Sequence, residues 1–164
     1  MSIPEGQLYT DKIRELGEIA EHLPDEYTGT FVAEGSIPFG AAVARGSAPE
    51  KAKLISSATD EFLGVAAWSY EASDYDNKKY NTNDPCGVRR KAIVVVSVEE
   101  AVQPGDKVRV RHTAETGKPA GVFCTTAVAG KTALVKDAEF KSSTDGSGSA
   151  VLWVSGPFSL VADA

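Results

Sequence analysis

Gly130-Lys131-Thr132 is where this chain comes nearest to a nucleotide site, because glycine, lysine and a hydroxyl residue close phosphate-binding loops, whose amides and ammonium cradle phosphates. The pattern breaks at once: Thr125 stands where the loop needs its first glycine, the preceding residues are β-like and no helical pattern follows. A turn is expected there. Asp74, Asp76, Asn77, Asn81, Asn83 and Asp84 supply hard oxygens in a short span, the chemistry of a calcium loop. Lys78 and Lys79, however, occupy positions that such a loop gives to an oxygen ligand and a glycine. A polar surface loop with Tyr70, Tyr75 and Tyr80 packed beneath it is the expectation.

His22 and His112 are the only imidazoles, so any histidine base or metal triad must use one of them. Neither has a nucleophile or carboxylate motif beside it, and both are expected at the surface. The acidic pairs Glu99/Glu100 and Asp25/Glu26 are adjacent in an acidic chain and are weak evidence for acid/base work. Cys86 and Cys124 lack the CxxC or Cys/His spacing of a zinc or redox site, so two reduced thiols are expected. Trp68 and Trp153 sit in apolar runs and read as core. No catalytic residue, cofactor site or metal site is expected, and the chain reads as a binding or structural protein rather than an enzyme.

Those residues need a scaffold, and 164 residues with 42% hydrophobic and 24% charged content are enough for one packed domain. The net charge of -6 argues against a nucleic-acid partner, whose phosphates draw affinity from clustered Lys and Arg. The single basic run, Arg89-Arg90-Lys91, reads as a solvated strand start. No apolar run approaches bilayer length and the first residues lack a signal-peptide pattern, so no membrane contact is expected and synthesis in the cytoplasm is.

Residues 1–30 differ from the rest in being rich in Asp, Glu and Lys and poor in β-branched residues, which marks an N-terminal arm. Ile13, Leu16, Ile19 and Leu23 recur at helical spacing, predicting a short amphipathic helix over Asp11 to Leu23, weakened by Gly17. From Phe31 the pattern turns to short strands between turn residues: 31–33, 40–45, 64–70, 88–98, 107–112, 121–127, 132–134, 139–141 and 150–154. Ala92 to Val98 is apolar on both faces and should lie centrally. Lys107 to Arg111 alternates Val with Lys and Arg, the signature of one wet face. One helical turn is expected over Val98 to Val102, and Ser142 to Ser149 reads as a hairpin loop. The fold class is therefore mainly β: an antiparallel β-barrel or sandwich body over 31–154 with a short helical turn, an extended, partly helical arm over 1–30, and a tail over 155–164.

Within that body, Ala33-Glu34-Gly35-Ser36-Ile37-Pro38-Phe39-Gly40-Ala41-Ala42-Val43-Ala44-Arg45-Gly46 resembles a phrase of the structural cement proteins that decorate tailed bacteriophage heads. Phe62-Leu63-Gly64-Val65-Ala66, Ala92 to Asp106 with Lys107 to Thr113, Gly121-Val122-Phe123 and Phe140 through Leu152 follow in that family's order. The resemblance spans roughly 31 to 154; the arm and the tail depart from it. It implies a bacteriophage capsid decoration protein, a structural virion component on the outer surface of the capsid, bridging major capsid protein subunits for head stabilisation. It also implies self-association, with a homotrimer expected first and a homodimer next. The apolar arm residues Ile3, Leu8, Tyr9, Ile13, Leu16, Ile19 and Leu23 are the expected contacts to the capsid or a neighbouring protomer, because a marginal amphipathic segment needs an outside surface. The competing reading is a β-rich binding module, an adhesin or carbohydrate-binding domain using Trp68 and the tyrosines after it.

Overall fold

A fourteen-residue strand, Pro85–Val98, organises the protein, and its sequence explains why. β-branched residues crowd its second half, and side chains alternating at period two bury both of its faces. The computed structural model describes residues 14–164. In chain order the strands are β1 (Ile19–Glu21), β2 (Tyr27–Ala33), β3 (Ile37–Pro38), β4 (Ala42–Arg45), β5 (Lys51–Leu54) and β6 (Phe62–Ala66). A 3-10 turn at Tyr75–Asn77 precedes β7 (Lys79–Tyr80) and the long β8 (Pro85–Val98). Then come β9 (Arg109–Arg111), β10 (Phe123–Cys124), β11 (Thr132–Val135), β12 (Ala138–Phe140), β13 (Gly148–Ser155) and β14 (Leu160–Ala162).

Twelve strands form one mixed sheet in the order β14-β11-β9-β10-β8-β2-β5-β4-β6, with β1 and β13 also on β8 and β12 on β13. β6 returns to pair with β8, Val65 opposite Arg89, so β8-β2-β5-β4-β6 closes into a ring. The expected mainly β body is what the structure shows, though β2–β5 and β10–β8 pair in parallel. Among the described residues no helix is long and apolar enough to cross a membrane.

Two hydrophobic cores lie on opposite sides of β4, β6 and β8. The larger collects Ala42, Phe62, Val65, Ala92, Val94, Val96, Val98, Phe123, Phe140 and Leu152; the smaller holds Phe39, Val43, Leu63, Tyr80, Cys86 and Val88. Alternation sends Val43 to one and Ala42 and Ala44 to the other, which is why β6 is buried at every position. Gly64, at φ +149°, makes that crowding possible: a Cβ there would lie 2.1 Å from the Arg89 carbonyl oxygen.

The structure overturns several local expectations. The part of the expected Asp11–Leu23 helix that is described is not helical: a turn at Leu16–Glu18 leads into β1. Tertiary pairing wins over the apolar spacing because Gly17, at φ +82°, presses against the body, where a Cβ would meet Ala66 O and Trp68 N at 2.5 Å. Val98–Val102 makes no helical turn; Val102 forms an isolated bridge with Thr144, and the one helical turn among the described residues is Tyr75–Asn77. The wet face expected of β9 is largely closed: Arg111 is fully buried on Glu99, and the half-buried Arg109 pairs with Asp163. His112, expected at the surface, is only 8% exposed, whereas the His22 side chain is 82% exposed. The basic run lies inside β8 rather than at its start: Arg89 and Arg90 donate to Gly17 O and Leu63 O, and Lys91 pairs with Asp25. Of the tail, Leu160–Ala162 joins the sheet as β14 beside β11, and Asp163 takes the Arg109 guanidinium.

Both thiols are buried and unbonded. Burial pushes each up to about 12, helped by Asp84 near Cys86 and by Glu99 and Glu100 near Cys124. Only about one part in ten thousand is thiolate at pH 8, and thiolate is the reactive species. A disulfide reagent such as DTNB is therefore expected to leave the native protein unmodified and to titrate both cysteines in denaturant; rapid labelling of either in the native state would contradict this.

Candidate docking surface

The described end of the arm is stapled to the body by its backbone. Gly17 N donates to Val95 O at 2.8 Å and Val95 N donates to Glu18 O at 3.0 Å, because Gly17 can adopt the left-handed conformation that brings the chain flat onto β8. Arg14 donates to Ile19 O at 2.6 Å and also to Ala20 O, and Glu15 pairs with Lys78 at 2.9 Å. Of the residues expected to contact a partner, Leu16 packs partly against the smaller core, Ile19 sits opposite Val94, and Leu23 is half-buried. Ile3, Leu8, Tyr9 and Ile13 lie outside the described residues.

The chain reaches Arg14 on the rim of a groove of about 680 Å³ whose walls include Ile93, Val95 and Val151. A second cavity, of about 730 Å³, lies among Arg14, Glu18, Glu26, Trp68 and Arg89. A smaller cleft of about 210 Å³ shares Trp68 and Arg89 and adds Thr28, Thr30, Ser69 and Glu71. Close by is Tyr70, 72% exposed and the most exposed aromatic among the described residues, with its ring centre 4.2 Å from Trp68 and 5.0 Å from Tyr75. Tyr75 in turn packs towards Phe39. The three tyrosines thus part company: Tyr80 is fully buried and donates to Ala67 O at 2.6 Å, Tyr75 is half-buried, and Tyr70 is at the surface. Trp68 and Trp153 are half-buried.

The sequence motifs that resembled chemistry are taken up by internal bonding. Lys131 pairs with Glu115, so its charge is committed. Asp74 binds Asn77 and Lys79, and Asp84 accepts from Ser73 and Asn81, which turns these oxygens towards the loop itself. Glu99, Glu100 and Cys124 converge, a grouping invisible in the sequence until β10 is laid beside the end of β8. Glu99 is held by both Nε and Nη2 of Arg111, at 2.6 and 2.8 Å. Burial pushes the Glu100 carboxyl up, yet hydrogen bonds from Thr125 and Thr126 outweigh it and hold it below the usual range. These donors and the protonated thiol make the group a poor cation site.

Arg89 is the residue sequence reasoning undervalued. It was expected in solvent, but it bridges the arm and β2 by donating to Gly17 O at 3.4 Å and Thr28 Oγ1 at 2.9 Å. The only sequence signal was that its basic run leads directly into the apolar half of β8.

The family model described as structural cement protein (E217 gp24/Pam3 gp6) matches residues 12–155. Among solved structures, a chain from one described as the capsid of Myoviridae phage XM1 superposes with a TM-score of 0.72 at 16% identity, covering 94% of this chain and 98% of that one. At that identity the likeness is one of fold. No curated protein matches.

Proposed function

Because this chain belongs to the structural cement protein family of phages, we propose that it docks on the outer surface of a phage head and holds the shell together by bridging neighbouring major capsid protein subunits. A protein that binds one arrangement of subunits better than others stabilises it by mass action, and many copies multiply the effect. The observation that carries this reading is the family match across 12–155, with a fold shared over nearly the whole of a capsid chain. Incubating purified protein with emptied mature heads and imaging them should reveal added density on the outside; bare heads at saturating protein would refute it.

The contact is assigned to Ile3, Leu8, Tyr9 and Ile13, which precede in sequence the segment where Leu16 packs on the smaller core and Ile19 pairs with Val94. Removing residues 2–13 leaves every described strand intact and is expected to weaken head binding at least about tenfold, roughly 1.4 kcal/mol or more. Undiminished binding measured by sedimentation with heads would remove the arm from the contact. A homotrimer is the proposed assembly, with a homodimer next. The support is that β1, β12 and β14 each have a single strand partner among the described residues, and a closed symmetric assembly covers such edges.

A further inference from the structure

Three arginines of the sheet have carboxylate partners: Arg45 pairs with Glu61, Arg109 with Asp163 and Arg111 with Glu99, while Arg90, next to Arg89 in β8, donates to Leu63 O. Arg89 has none within ion-pair distance among the described residues, although burial is strong enough to pull its guanidinium below the ordinary value. A half-buried guanidinium with no ion pair, in the wall of a cleft, can still take an anion from elsewhere. The nearest acids are otherwise engaged. Glu26 accepts from His22 and acts on Arg89 only at longer range, without an ion pair, and Glu18 accepts from Glu15 N. Glu71 lines the cleft but is exposed and able to swing into solvent.

A second donor in the same wall is also unmatched: Trp68 Nε1 is buried and finds no acceptor among the described residues. Thr28 Oγ1 accepts from Arg89, which leaves its own proton to donate. The cleft, about 210 Å³, suits one side chain rather than a cofactor. We infer that the cleft walled by Arg89, Trp68, Thr28 and Thr30 receives an Asp or Glu side chain presented by the shell subunit on which the protein docks. This rests on the docking role proposed above. One carboxylate oxygen takes the guanidinium and the other takes the Thr28 hydroxyl. Trp68 Nε1 joins when the exposed Tyr70 ring turns aside. Charge-assisted bonds in a site closed on one side favour a carboxylate over a neutral amide.

Two tryptophans make the test direct, because the nitrogen-15-labelled full chain has two indole N–H signals and Trp153→Phe identifies that of Trp68. Sodium acetate is expected to shift the Trp68 signal saturably, while sodium chloride at equal ionic strength leaves it in place. Arg89→Gln should abolish the shift and Arg89→Lys should retain part of it. On heads, Arg89→Gln should bind about tenfold more weakly than the unaltered protein. No acetate response, an equal response of both tryptophans, or full head binding by Arg89→Gln would overturn the inference. So would a Trp68 signal that moves on removing residues 2–13 without acetate, since Glu5 or Asp11 of the chain itself would then fill the cleft. If the unaltered protein fails to bind heads, the docking role falls by itself, and with it the shell as the source of the carboxylate.

Discussion

Glu99→Ala is expected to destabilise the fold by about 3–5 kcal/mol, read as a large drop in the urea midpoint with the slope unchanged. Arg111 and Glu99 are 0% and 3% exposed, and the guanidinium grips the carboxylate through two nitrogens. Removing the carboxylate strands a buried cation between β10 and β11, with only the partly exposed Glu115 left to face it. The attraction within such a pair roughly repays the cost of desolvating it, so the penalty belongs to breaking the pair rather than to lacking it. The double change Glu99→Leu with Arg111→Met should therefore be far milder than Glu99→Ala alone. A single substitution costing less than about 1 kcal/mol would show that water or Glu115 compensates the Arg111 charge.

Gly64→Ala should be comparably damaging for a different reason. Its Cβ would lie 2.1 Å from Arg89 O and 2.9 Å from Arg89 C, both backbone atoms of the strand that closes the ring. Left-handed strain costs about 1–3 kcal/mol and overpacking about as much again. The loss should be local first: amides of Val65 and Ala66 should exchange faster than those of β13, which pairs with the other half of β8. Gly105→Ala is the matched control, since Gly105 is at φ +94° with nothing within 4 Å, and it should show strain alone. Equal stability of Gly64→Ala and the unaltered protein would mean that β6 does not depend on its close approach to β8.

Much of the architecture is legible because it is written in local pattern. Ala92 to Val98, apolar on both faces, is the hub strand; the Ser142–Ser149 segment joins β12 to β13 as a hairpin; and most of the expected strands overlap observed ones. The short strands β1, β3, β5, β7 and β14 were unanticipated, because two to four residues carry too little periodicity to register. The candidate docking surface was legible only in part. Trp68 and Tyr70 stand out by type, but nothing near Arg89 in sequence shows that Gly17 and Thr28 will close around it.

By itself the sequence determined that this is a mainly β protein with a central apolar strand and frequent turns, since alternation, β-branching and turn residues act over a few positions. Only the tertiary structure decided that β6 closes a ring on β8, that the described arm becomes a strand instead of a helix, that Arg111 is buried against Glu99 and that Arg89 has no ion pair among the described residues. Those outcomes depend on pairings between distant segments, where a backbone contact such as Gly17 with Val95 outweighs the weak preferences of the residues that make it.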